Sequence, residues 1–110
     1  MFNIKALEKD GSYFWTNHSK HKLLQYGLSP GLVKKVINHP ERVERGIASD
    51  TTASMIRKDG KKNKKEIWVM HQKQTKNRRK IKIISAWIYP GMSPKGKEIF
   101  IPEDAWKEIK

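Results

Sequence analysis

The chain has no cysteine. That excludes a disulfide framework and a thiolate metal site, and it suits a reducing compartment. No apolar run approaches the ~20 residues of a membrane-spanning helix. Met1 to Asp10 lacks the basic-then-apolar pattern of a signal peptide. The expected location is therefore cytoplasmic, with no membrane partner. There is no phosphate-binding glycine loop, no Ser-His-Asp signature and no internal repeat. Acid is scarce, with 11 Asp and Glu against 24 Lys and Arg. Apolar content is low at 36%, yet 110 residues can still bury one core. One domain over 1–110 is expected, with 1–11 as an arm and 92–110 as a C-terminal extension.

Base is abundant, and it is concentrated. Twelve of the 24 Lys and Arg fall between Arg57 and Lys82, against Asp59 and Glu66 alone. That stretch carries +10 of the net +13. Charge so concentrated repels itself in a folded chain, so the natural partner is a polyanion. Nucleic acid comes first, because each cation near a phosphate releases a counterion, and RNA is expected ahead of DNA. Lysine at exposed strand edges also protects against edge pairing, which is the plainer explanation of part of this charge.

Periodicity and punctuation predict the order β-α-α-β-β-β-β-α. Ser12–Thr16 is a short aromatic strand. Thr16 or Asn17 caps a helix from about His18 to Tyr26, stopped by Gly27. Ser29 and Pro30 start a second helix, which ends at Pro40. Strands follow at Arg42–Ile47, Thr51–Lys58, Glu66–Gln74 and Lys80–Tyr89, closed by Pro90-Gly91. Glu98–Ile101 is extended. Pro102, Glu103 and Asp104 open a short helix with Ala105, Trp106 and Ile109 inside. The fold class is α+β: an antiparallel sheet of about four to five strands, two N-terminal helices on one face and a short C-terminal helix. Strict alternation in KIKIISAWIY places Ile84, Ala86 and Ile88 under the helices with Leu24, Val33, Val36 and Ile37. Trp87 and Tyr89 then face the other way.

Arg57, Lys61, Lys62, Arg78, Arg79 and Lys82 are the candidate phosphate ligands. Trp87 is either a stacking surface for bases or core, since aromatics are mostly buried. His18 and Lys22 lie one turn apart on the first helix. An imidazole beside lysines could act as general acid or base on a ribose hydroxyl. His18 is equally consistent with a helix-start or buried structural histidine. Tyr89 is a second proton donor or a stacking platform. His39 is a helix-end residue and His71 a sheet residue. No carboxylate or thiolate cluster completes a metal site, so neither metal nor cofactor is expected.

The segments FWTNHSKHKLLQYGLS, VKKVINHPERVERG, EIWVM and KIKIISAWIYPG together resemble a family of small bacterial proteins. That family looks like a branch of the RelE/ParE toxin superfamily. KIISAW is similar to a strand of the BrnT toxins, and the likeness spans roughly Phe14 to Gly91. It implies a compact antiparallel sheet with helices on one side. It further implies a metal-independent endoribonuclease, with His18 and Lys22 matching the family's histidine and following basic residue, and an acidic antitoxin as partner. Trp87 stands where BrnT-like strands carry arginine. Three functions remain open on the sequence: an RNA-binding protein that cleaves RNA, a non-catalytic nucleic-acid module, and an adaptor for an acidic protein.

Overall fold

A computed structural model describes residues 7, 9–46, 50–59, 64–74, 81–94 and 98–108. The elements are β1 (Tyr13–Trp15), α1 (Asn17–Tyr26), α2 (Pro30–Asn38), β2 (Arg42–Arg45), β3 (Thr51–Asp59), β4 (Lys64–Lys73), β5 (Ile81–Pro90) and α3 (Glu103–Lys107). Local chemistry sets both long helices. Thr16 Oγ1 accepts from Ser19 N–H, and Ser29 Oγ accepts from Leu32 N–H. Gly27 closes α1 at φ 66°, a left-handed conformation costly for other residues. Asp10 then ties β1 to α2. Its carboxylate accepts from Ser12 N, Tyr13 N and Trp15 Nε1, and it pairs with Lys34 at 2.9 Å.

The sheet runs β1-β5-β4-β3-β2. The meander β2 to β5 is antiparallel, as expected. β1 departs from the antiparallel expectation, because it pairs parallel with β5 over Tyr13 to Trp15. The two helices carry the chain from the β1 edge of the sheet to the far edge before β2 begins. The sequence marks those helices but not the edge at which the chain returns.

Each face of the sheet buries its own cluster. Beneath α1 and α2 lie Leu23, Val33, Val36, Ile56, Ile67, Val69, Ile83 and Ala86, with Ile37 and Ile88 partly buried. The opposite face holds Ala53, Met55, Trp68, Met70, Ile84 and Trp87, covered by Ala105 of α3 and by Ile99 and Ile101. Three core expectations change. Leu24 is 47% exposed and Leu23 takes the inward position. Trp106 is exposed, since a helix as short as α3 turns only Ala105 inward. Ile109 lies outside the described residues. Ile84 is buried, but on the face away from α1 and α2. A β-bulge explains this. Met70 pairs with Ser85 while His71 pairs with Ile83, so Ile84 is an extra residue in β5. The inward set is therefore Ile81 and Ile83 before the bulge, and Ala86 and Ile88 after it.

No helix among the described residues is long and apolar enough to cross a membrane.

Candidate nucleic-acid interface

Strand register sets out the face opposite α1 and α2 row by row. Arg57, Glu66 and Tyr89 are consecutive cross-strand partners on β3, β4 and β5. Met55, Trp68 and Trp87 form the next row. The indoles of Trp68 and Trp87 are stacked, with centroids 6.3 Å apart and planes 8° from parallel. The Arg42 guanidinium sits 5.5 Å over the Trp68 ring.

The segment after β5 is fastened down over these rows. Glu66 is fully buried. Its Oε1 accepts from Trp68 Nε1 at 3.0 Å and from Ser93 Oγ at 2.6 Å. Its Oε2 accepts from Ser93 N–H at 3.1 Å. Arg42 donates to Ser93 Oγ at 2.7 Å, to Pro94 O at 3.1 Å and to Glu44 at 2.7 Å. A buried carboxylate is costly unless it is hydrogen-bonded, and here both oxygens are. Sequence reasoning missed Glu66. Its signal was an acid at the head of the apolar run IWVM.

This fastening changes the role of Trp87. Its ring is buried, and its Nε1 has no hydrogen-bond partner. It is core, out of reach of a base. Arg57 is half-buried and lines a shallow cavity with Glu41, Arg42, Glu44 and Met55. Lys82 is half-buried and pairs across the sheet with Gln72. It lies roughly 20 Å along β5 from Tyr89, so Arg57 and Lys82 do not share one patch. Lys61, Lys62, Arg78 and Arg79 lie outside the described residues. Lys58, Lys64 and Lys65 are exposed where β3 ends and β4 begins, and Lys73 is exposed at the opposite end of β4. None of the ion pairs between described residues uses these four lysines.

His18 and Lys22 do come together, at the seam between α1, β5 and α3. His18 Nε2 and Ser85 Oγ are 3.0 Å apart, and His18 is half-buried. Lys22 pairs with Asp104, donates to Gln25 Oε1 at 2.9 Å and lies 5.8 Å from the Tyr26 ring centroid. Burial raises the Asp104 pKa, but the hydrogen bond and charge of Lys22 and the charge of His18 outweigh it and hold that carboxyl below its usual value. Tyr89 stands about 13 Å along β5 from Ser85. The three residues expected to act together thus form a pair and a distant third. A second imidazole, His71, is bonded to Ser54 Oγ at 2.9 Å, and burial pushes its pKa down to about 4. Among the described residues no group of three or more His, Asp or Glu is placed to hold a metal ion.

No protein-family model, no curated protein and no solved structure matches the chain.

Proposed function

We propose that the protein binds RNA, with its phosphate contacts at the ends of the sheet, and that it belongs to the RelE-like class its sequence motifs suggest. One observation supports this above the others. Lys58, Lys64 and Lys65 crowd one end of β3 and β4 as exposed cations outside every ion pair between described residues. Repulsion among like charges so close favours the binding of an anion. Each phosphate neutralised on a single strand contributes about −0.7 to the slope of log K against log salt. Fluorescence anisotropy with labelled single-stranded RNA should therefore show a steep negative salt slope. The triple variant Lys58→Glu, Lys64→Glu, Lys65→Glu should bind far more weakly and with a flatter slope. Equal affinity and slope in the two proteins would sink the reading.

The second reading is a metal-independent endoribonuclease. It rests on His18, whose half-exposed ring is steadied by Ser85. In that reading cleavage survives EDTA, and His18→Ala slows it ~100-fold while RNA affinity hardly changes. Affinity for an acidic protein, with none for RNA, would favour an antitoxin or adaptor role instead.

A further inference from the structure

Beyond β5 the chain alternates. Ile99 and Ile101 pack against the Trp68–Trp87 cluster, and Phe100 between them turns outward at 58% exposure. Leaving a phenylalanine ring in water forgoes the gain of burying it. One exposed ring is ordinary on any surface. The surroundings of this one are not. Its centroid lies 6.1 Å from that of Tyr89, with the planes tilted by 44°. Tyr89 is half-buried, its body against the second cluster, so it is a fixed support. On β4 the cross-strand partner of Tyr89 is Glu66, and Lys64 is the same-face residue two positions before Glu66. Such diagonal neighbours lie about 7–8 Å apart. Lys64 Nζ rests 3.9 Å from the Met92 sulfur, and Met92 is itself 48% exposed. One acid beside this patch, Glu66, is wholly buried and committed to Trp68 and Ser93, and Asp59 is the cross-strand partner of Lys64. What the described side chains present to water on this face is a ring on a ring, a thioether and an ammonium; Lys58 and Lys65, cross-strand partners at the same end of the sheet, alternate to the opposite face.

We propose that Phe100 and Tyr89 form a stacking platform for an unpaired base of a single-stranded nucleic acid whose flanking phosphate lies on Lys64. The chemistry asks for both halves. Cations alone hold duplex, single strand and acidic peptide alike, whereas an exposed aromatic beside them selects ligands with a free π-face. Phe100 thereby takes the role that sequence reasoning gave to Trp87. This inference rests on the RNA-binding reading and goes further by naming the end of the molecule, the contact and the single-stranded state.

The test uses the full chain and three fluorescein-labelled probes of equal length: oligouridylate, oligodeoxythymidylate and an abasic oligonucleotide. Phe100→Ala should lose about tenfold in affinity for probes with bases and nothing for the abasic one, with the salt slope unchanged. Phe100→Trp should retain or improve parental affinity. A preference of the parent for uridylate over thymidylate would mark RNA as the source of the strand, and equal binding would mark any single strand. If the parent binds all probes and Phe100→Ala matches it on each, the platform is wrong and the charge-based reading stands. If the parent binds no probe at low salt, both are wrong.

Discussion

His71 carries a pH dependence that belongs to one residue. Burial lowers its pKa to about 4, and its Nε2 lies 2.9 Å from Ser54 Oγ. An unfolded histidine titrates near 6.5. Between those values the unfolded chain binds more protons than the folded one, so stability falls on acidification. The contribution is complete above about pH 6.5 and is lost as pH drops towards 4, by at most about 1.4 kcal/mol per unit. Asp104 and Asp10 have lowered pKa values and lose their contributions only below about pH 4, so the windows separate. Urea midpoints measured across this range should decline in the parent. They should stay nearly flat down to about pH 4.5 in His71→Gln, which keeps a hydrogen-bonding group but does not titrate there. Parallel profiles would show that His71 ionises freely. The sequence could place His71 on a strand, but its environment depends on Ser54, 17 positions earlier, and so on strand register.

At the scale of elements, the bulge in β5 is the instructive case. Caps, stops and strand positions were legible because they depend on neighbouring residues: Thr16 and Ser29 cap, Gly27 stops, and Pro90-Gly91 closes the last strand. The face of Ile84 was not. Period-2 alternation puts Ile84 with Ala86 and Ile88, and no glycine or proline in KIKIISAWIY announces an extra residue. Leu23 and Leu24 are ambiguous for a different reason, since they are adjacent apolar residues about 100° apart around α1 and local spacing does not single out which one faces inward. Ile84 is 4% exposed, so Ile84→Ala should cost ~2–5 kcal/mol. Val36→Ala, on the other side of the sheet, should also destabilise. Because the two side chains share no cluster, a double-mutant cycle should be additive to within about 0.5 kcal/mol. A larger coupling in urea unfolding would mean that Ile84 lies under the helices after all.

The whole molecule separates what the sequence shows as one block. The twelve bases from Arg57 to Lys82 read as a single basic hairpin, but β4 runs between their two halves for about 30 Å. Lys58, Lys64 and Lys65 stand at one end, and Lys73 at the other. Composition reveals the quantity of charge and therefore the class of partner. Its distribution depends on the direction of each strand, and the platform at Phe100 depends on where the chain travels after β5. With a net charge of +13, self-repulsion should be measurable in the free protein. Raising salt from about 0.1 M to 1 M shortens the screening length from about 10 Å to 3 Å. The thermal midpoint of the parent should rise over that range, while its affinity for single-stranded RNA falls. Lys58→Glu, Lys64→Glu, Lys65→Glu lowers the net charge from +13 to +7, each replacement removing two units. Its midpoint at low salt should exceed the parent's, and its gain from salt should be smaller, since the lysines it replaces lie within a few residues of one another. Opposite signs for stability and binding would trace both effects to one source. A parental midpoint that ignores salt, beside a steep binding slope, would instead mean that the cations are spread widely enough to tolerate one another and that only the polyanion gathers them.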